Sequence, residues 1–590
     1  MRPKAYPLLL GTRNRPAIDW NFAGSGSLPA ALTFSRASLA TMYDASGTLV
    51  WCPHNLLTYS EALASWGSSG APARADGAYT ATLPSGEAVS LTSITEPSGA
   101  AYYLASNSSS LSSGQTHTVS AVLRAVPGGR GWGWLAWDDS AVTKFIYINL
   151  STGALGSVSS GVTADAPVSL GGGAWLVTFR YATTTGVGCR VLIGSAAADG
   201  AWNGAGDGRL SIAAGAVRLG VGTQATYARS TSAAYYGPRL TYDPVTHAAL
   251  GLLVEEQRTN LLTYSEALDN AAWAKNGGAS ITANVATAPD GYLTADRLTV
   301  VTGASDSLES PGVSITSGTA YTATARLLLG TSTTVTLNMS NAAAWSGGVN
   351  PAATFNLSTG AMTGVAANTT AKVEALAGGW FSVSITATAA VTTTTSVRVV
   401  PVSSSSTTIV WGLQLEAGAV PTSYIPTTSA SATRAADVVT CSGAAFSGWV
   451  NAAEGTLVVE GVMPNANIGT AAVMNMVYIG DGPGNEYIKV YQYETYFGAA
   501  IRHGGALQAD ISSTKTAGAV EKLAIAWAVN DAAVAIRGAI VGTDATVAIP
   551  TGVDRLTLGT GTAGAVAYTI KRIRYWPRRL TNAQLQALTA

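Results

Sequence analysis

Reactive groups are sparse in this chain of 590 residues. Its four histidines, His54, His117, His247 and His503, stand apart. None falls in the H-E-x-x-H spacing that sets two imidazoles around zinc on one helix face. Cys52, Cys189 and Cys441 are equally scattered and odd in number, which fits neither a disulfide framework nor a zinc site. No G-x-S-x-G elbow offers a nucleophilic serine. Glycoside hydrolysis needs two carboxylates roughly 5–10 Å apart across a cleft. Asp138-Asp139 and Glu255-Glu256 are adjacent pairs, and neighbours on a strand point to opposite faces, so neither pair suffices alone. GTGTAG (Gly559 to Gly564) has the spacing of a dinucleotide-binding turn, but a second strand-like run, AVAYTIKRIRYW, follows it. No acidic residue comes after to hold a ribose, so the segment reads as a hairpin turn. The expectation is a protein that is not an enzyme and has no cofactor or metal.

Aromatic residues carry more information. In GWGWLAWDD, Trp132 and Trp134 share one face of a strand, with Trp137, Asp138 and Asp139 close behind. Indole rings stack on the C–H faces of sugars while carboxylates accept their hydroxyls, so the five form a candidate glycan platform. The competing reading puts one or two of these tryptophans in the core. In NEYIKVYQYETYF, Tyr487, Lys489, Tyr491 and Tyr493 fall on one face of a strand and Ile488 and Val490 on the other. That tyrosine face could meet a glycan or a neighbouring subunit. The basic C-terminal residues Lys571, Arg572, Arg574, Arg578 and Arg579 read as a solvated strand face and helix approach.

The elements that must position these residues come from a duplication. NLLTYSEAL occurs at Asn55 to Leu63 and again at Asn260 to Leu268, followed by Trp66 and Trp273. SSGQTHTVSAVLRA from Ser112 corresponds to TSGTAYTATARLLL from Thr316, NLSTGA recurs at Asn149 and Asn356, and Trp175 corresponds to Trp380. The offsets of 205, 204, 207 and 205 residues define two copies of one domain. Within it His117 aligns with Tyr321, which marks the histidine as structural. The first copy also carries an extra Gly-rich stretch, GSAAADGAWNGAGDGRLS, which suits a surface loop. THTVSAVLRA, KFIYINLSTGA, AWLVTFRYAT and YTATARLLLG alternate with period two and end at Gly/Ser/Asn turns, as strands do. NLSTGA reads as a strand end entering a tight hairpin, and DPVT at Asp243 to Thr246 as a second hairpin. Thr58 to Glu61 and Thr263 to Glu266 have the T-x-x-E form of a capping box, predicting one helical turn before each tryptophan. From about residue 429, regularly spaced strands lead to RRLTNAQLQALTA, where Thr581 and Gln584 predict a capped terminal helix.

These phrases carry a resemblance. The NLL opening with its tryptophan resembles β-sandwich carbohydrate-binding modules, and more closely the repeated modules of bacteriophage tail and virion proteins. GLLVEEQRTNLLTYSE (251–266), LQLEAGAVPTSYIPTT (413–428) and ATRAADVV (432–439) are similar to phrases widespread in that group. The region after 429, closing on YWPRRLTNAQLQAL, resembles a concanavalin A-like (laminin-G or lectin-type) jelly roll. The resemblance implies an all-β, multidomain chain: two duplicated jelly-roll β-sandwiches plus a C-terminal concanavalin A-like β-sandwich. The expected domains are a virion-docking segment and small β-domain at 1–54, completed by 237–259; an inserted sandwich at 55–236; a second sandwich at 260–428; and the lectin-type domain at 429–590. In particular, residues 15–52 are expected to pair with residues 238–258.

The resemblance further implies a non-enzymatic tail fibre or tail-associated receptor-binding protein that attaches to host surface glycans. It would dock to other virion proteins through its N-terminal region. A head fibre or capsid decoration protein is the alternative, followed by an extracellular carbohydrate-active enzyme. A homo-oligomer is expected, although no heptad or fibre repeat marks the surface responsible. Bulk composition fits this picture. Charged residues make up 11% of the chain, with 33 basic against 33 acidic, so the clustered positive charge that binds nucleic acid is missing. No run approaches the roughly eighteen apolar residues of a membrane span, and MRPKAYPLLLGTRNRP is too weakly apolar for a signal peptide. The expectation is a protein made in the host cytoplasm and carried in the virion, without membrane insertion.

Overall fold

The computed structural model describes residues 15–590 apart from 100–101, 108–114, 140–141, 184–187, 202–205, 224–225, 452, 463–472, 494, 515–519 and 562–566. Two compact units divide the chain, Val50–Gly237 and Met1–Leu49 together with Pro238–Ala590. Most of the expected docking segment, residues 1–14, lies outside the described residues.

Val50–Gly237 is a two-layer antiparallel sandwich. One layer runs in the order Thr163–Ala164, Ala174–Ala182, Thr116–Ala125, Leu210–Val221, Ala88–Thr95, Ala73–Thr82. The other runs Leu155–Val158, Thr143–Asn149, Trp132–Asp138, Arg190–Ala196, Tyr103–Ala105, Gly67–Ser69. Alternate residues point inward, so Val119, Ala121 and Leu123 of the first layer meet Leu135, Trp137, Ile146 and Ile193 of the second. His117 is buried in this core and stacks on Trp137 with ring centroids 5.5 Å apart.

Residues 260–428 of the other unit repeat the sandwich in the same strand order. One layer is Thr370–Ala375, Trp380–Thr388, Ala320–Leu329, Ser406–Ala417, Ala295–Val300, Ser280–Ala286. The other is Ala361–Val365, Ala352–Asn356, Thr334–Met339, Val397–Pro401, Ser307–Glu309, Ala274–Asn276. Tyr321, the counterpart of His117, packs edge-on against Trp345 at 6.4 Å. Both NLSTGA segments close hairpins as the sequence predicts. The Asn149 side chain accepts from the Ser151 and Thr152 amides, and Asn356 does the same for Ser358 and Thr359. Gly153 and Gly360 adopt φ of 75° and 73°, and a Cβ at Gly153 would lie 2.3 Å from the Trp175 ring. The DPVT hairpin closes in a similar way, with Asp243 accepting from the Val245 and Thr246 amides.

The duplicated nonapeptide ties one strand of the first layer, Leu210–Val221 or Ser406–Ala417, to the segment that follows it. The Asn55 amide donates to the carbonyls of Val217 and Ala228, and that of Asn260 to Leu413 and Ile425. Each Asn oxygen also accepts from an amide two residues on, Leu57 or Leu262. The Ser60 and Ser265 hydroxyls lie 2.8 and 2.7 Å from the phenols of Tyr227 and Tyr424. Trp66 and Trp273 fold back so that their indoles donate to the carbonyls of Thr58 and Tyr264. The predicted capping boxes do not form. Tyr59 and Tyr264 take φ of 54° and 53°, which breaks the turn before it can wind. The glutamates turn to phenols instead, Glu61 to Tyr227 and Glu266 to Tyr424. Only a short 3-10 turn, Leu63–Ser65, remains in the first copy, without a side-chain cap.

The C-terminal sandwich is larger than its own sequence. Its first sheet runs Arg239–Tyr242, Ala249–Glu255, Ala567–Trp576, Gly455–Val462, Val520–Ala528, Asp531–Ile536, Ala539–Asp544, and Ile18–Asn21 also pairs with Ala567–Trp576. The second runs Thr33–Ser35, Val438–Ser442, Arg555–Gly561, Val473–Gly480, Tyr487–Tyr493, Tyr496–His503, Ala506–Thr514. This corrects the small separate β-domain expected from residues 15–52 and 238–258. Those segments do touch, with the Tyr43 amide donating to Thr241 Oγ1 at 3.2 Å, but their strands complete the two sheets of the C-terminal sandwich. An isolated hairpin has too little apolar surface to stand alone, whereas added to a sheet it buries Leu252 and Val254 in the shared core.

GTGTAG is corrected as well. Arg555–Gly561 and Ala567–Trp576 belong to different sheets, so the link between them is a crossing rather than a hairpin; residues 562–566 lie outside the described residues. The terminal helix Asn582–Thr589 carries its predicted capping box of Thr581 and Gln584. It lays Leu585 on the outer face of the first sheet, over Val458, Ala524 and Ala526.

Candidate ligand-binding faces and a buried ionic joint

The expected tryptophan platform is not a surface. Trp132 and Trp134 share the outer side of their strand, but Trp134 is fully buried and Trp132 half-buried. Tyr147, Leu192, Ala196 and Ala201 pack around them, the last from the extra Gly-rich stretch of this copy. Gly194 makes the space, since a Cβ there would lie 2.5 Å from the Trp134 ring. Trp137 faces inward, into the core with His117. Asp138 pairs with Arg190 at 2.5 Å, and buried Asp139 accepts from the Val142 amide at 2.8 Å. The five residues expected to form a glycan platform therefore serve packing and loop closure. Burial wins here because apolar side chains of the neighbouring strands crowd the same outer face, with Ala201 added from the Gly-rich stretch.

The tyrosine face is partly open: Tyr487 and Tyr491 are buried, Lys489, Tyr493, Tyr478 and Arg502 half-buried, and Asp510 exposed. Tyr487, Lys489, Tyr491 and Tyr493 lie on the outer side of the second C-terminal sheet, while Ile488 and Val490 enter the core. Lys489 Nζ sits 5.0 Å from the ring centroids of both Tyr487 and Tyr491. Strand pairing adds three residues that the sequence reading missed. Arg502, directly opposite Tyr487, places its guanidinium 5.7 Å from that ring. Tyr478, opposite Lys489, tilts against Tyr487 at 5.5 Å. Asp510, opposite Ala500 on the next strand, accepts the Tyr491 hydroxyl. Tyr478 was hidden by a bulge, as the register shifts between Asn475 and Val477 so that Met476 and Val477 both enter the core. Burial pushes the Tyr478 phenol up to about 12 and raises that of Tyr487, so both stay protonated donors at neutral pH. Burial lowers the Lys489 ammonium; the Asp510 carboxylate opposes that and Arg502 adds to it by less.

A second constellation explains the three family-like phrases. Arg239, Glu255, Arg434 and Asp437 meet inside the second unit with Arg36 from the N-terminal segment. Arg36 pairs with Asp437 at 2.7 Å, both side chains sealed from solvent. Arg239 bridges Asp437 and Glu255, the latter at 2.5 Å, and Arg434 lies 3.4 Å from Glu255. Ser423 completes the set, its hydroxyl 2.6 Å from Glu255. Glu256 points away and pairs with Arg258. Burial alone would raise the Glu255 carboxyl, but Arg434 and Arg239 hold it down at about 2. Glu255, Ser423, Arg434 and Asp437 come from VEEQRT, AVPTSY and TRAADV, so the three phrases, with Arg36 and Arg239, build one joint where the second sandwich meets the C-terminal sandwich.

Among the described residues no group of three or more His, Cys, Asp and Glu side chains could hold a metal ion. No described helix is long and apolar enough to cross a membrane. The chain is an all-β protein of duplicated jelly-roll sandwiches with a concanavalin A-like sandwich at its end.

No family model and no curated protein matches the chain. Solved structures similar to it include the receptor binding domain of botulinum neurotoxin type G, at 12% identity and TM-score 0.21, covering 25% of this chain and 38% of that one. A heptameric SAP-like pentraxin from Limulus polyphemus is similar at 12% identity and TM-score 0.20, covering 23% and 70%. Sheep galectin-11 is similar at 11% identity and TM-score 0.17, covering 21% and 90%. The chain thus spans well under half the length of the neurotoxin domains it matches.

Proposed function

We propose that this chain is a non-enzymatic bacteriophage virion protein, a tail fibre or tail-associated receptor-binding component whose C-terminal sandwich presents its tyrosine face to host surface glycans. The observation that carries this reading is the joint. The phrases resembling phage virion modules supply Glu255, Ser423, Arg434 and Asp437, which tie one sandwich to the next. What resembles that family is therefore the coupling of the second sandwich to the C-terminal one. A non-enzymatic role is supported by the fate of the candidate carboxylates: Asp138, Glu255 and Glu256 are engaged by arginines, and Asp139 by a backbone amide. Glycan contact is supported by the aromatic and charged side chains gathered at Tyr478, Tyr487, Lys489, Arg502 and Asp510.

The test is labelling of purified particles with antibody against residues 429–590, together with a sugar-release assay on host polysaccharide. Label at the tail with no sugar released is the expected result. Label on the head would favour a head fibre or capsid decoration protein, and released sugar would overturn the non-enzymatic reading. Docking to other virion proteins through the N-terminal region, as a homo-oligomer, belongs to the same proposal and is tested by copy number per particle.

A further inference from the structure

The outer faces of the C-terminal sandwich are treated unequally. The first sheet is closed by the helix Asn582–Thr589, whose Leu585 packs on Val458, Ala524 and Ala526. The second has a layer of tyrosines instead, and two cations lie against the same ring. Lys489 Nζ is 5.0 Å and the Arg502 guanidinium 5.7 Å from the Tyr487 centroid. Neither cation has a carboxylate within ion-pair distance among the described residues. Arg502 Nη1 makes one long bond, 3.3 Å to the Gly484 carbonyl, and its Nε is buried with no hydrogen-bond partner. Asp510 accepts the Tyr491 hydroxyl through Oδ1 and keeps its charge, acting on Lys489 from beyond ion-pair distance. Arg555 and Asp554 at its margin neutralise each other at 2.7 Å.

Two like charges sharing one aromatic ring, with a donor left over, are costly unless an anion joins them. We infer that the face centred on Lys489 and Arg502 binds the oxyanion of an acidic saccharide, with Tyr478 and Tyr487 as phenolic donors and Asp510 as acceptor for a sugar hydroxyl. This deepens the glycan reading above and rests on it. A neutral sugar would use the tyrosines and Asp510 but leave both cations without a counter-charge at ion-pair distance. A carboxylate or sulfate on the ring satisfies them, and the planar Arg502 fork suits either group.

The experiment uses the full chain and three labelled hexasaccharides of equal length: one bearing uronic acids, one sulfated, one neutral. Both acidic probes are expected to bind about tenfold tighter than the neutral one at low salt, with the advantage shrinking as salt is raised. Lys489→Met and Arg502→Met should each remove most of that advantage, and Lys489→Arg should keep it. Thermal unfolding of each variant checks that the sandwich still forms. A neutral probe binding as tightly as the acidic ones would overturn the inference while leaving glycan attachment standing. Acidic binding that survives both methionine variants would place the site elsewhere and overturn it too. Binding to none of the three would overturn the inference and the glycan reading together, and particle labelling would still decide the virion reading.

Discussion

Arg239 and Asp437, 198 residues apart in sequence, form an ion pair in which both side chains are sealed from solvent. Asp437 also holds Arg36, so one carboxylate joins the N-terminal segment, the hairpin after the inserted sandwich, and the chain entering the C-terminal sandwich. Removing it would take a carboxylate from two buried guanidinium groups and leave Arg239 with Glu255 alone. Asp437→Ala is expected to destabilise the unit containing residues 238–590 by about 3–5 kcal/mol. Calorimetry on the full chain should show that transition fall while the transition of Val50–Gly237 stays in place.

In each sandwich the asparagine bracket holds the strand Leu210–Val221 or Ser406–Ala417 to the segment that follows it. Asn55→Ala and Asn260→Ala each leave two buried carbonyls and two amides without this partner, a loss of about 2–4 kcal/mol. Denaturant titration should assign the first loss to Val50–Gly237 and the second to the other unit. Equal losses would show that both copies use the peptide in the same way.

Histidine 117 makes the first sandwich sensitive to acid. Burial lowers its imidazole to about 4, below the ordinary 6.5. The folded state therefore resists a proton that the unfolded chain accepts, and stability present above pH 6.5 is lost as pH falls towards 4, by up to about 3 kcal/mol. His117→Tyr installs the residue found at Tyr321 in the other copy and should flatten this limb of the pH–stability curve.

In the second sandwich the sign is opposite. Burial, with Asp290 nearby, pushes the Glu266 carboxyl up to about 7, and burial pushes Asp290 up to about 6. Protonated carboxyls are favoured in the folded state, so their contribution is complete below about pH 4 and is lost as pH rises through 6 and 7. Glu266→Gln should remove the upper part of that decline, as measured by melting temperature between pH 4 and 8. Glu266 keeps some solvent contact, which makes the effect smaller than for a sealed carboxyl.

Trp134 separates packing from binding. Trp134→Ala should cost about 3–5 kcal/mol as a buried indole is lost, and glycan binding by the folded remainder should be unchanged. A loss of binding without a loss of stability would return the platform to consideration.

The all-β class, the duplication and the terminal helix cap are local properties, and the sequence by itself determined them. Period-two alternation, turn chemistry at NLSTGA and DPVT, and the Thr581/Gln584 pair involve neighbours within a few residues, so their energetics are decided before the chain folds. The same holds for the split of Tyr487, Lys489, Tyr491 and Tyr493 from Ile488 and Val490, because alternation assigns faces. Alternation does not say whether the outer face stays open. Trp132 and Trp134 obeyed the pattern and were packed among apolar neighbours on their own face, whereas the tyrosines, two of them buried as well, kept charged company. Nor does it say which strands become neighbours. Arg502, Tyr478 and Asp510 joined the tyrosine face through pairing and a bulge, and Arg36, Arg239 and Asp437 found one another across hundreds of residues. Burial and long-range charge pairing depend on distances that only the folded chain sets, so tertiary structure decided them.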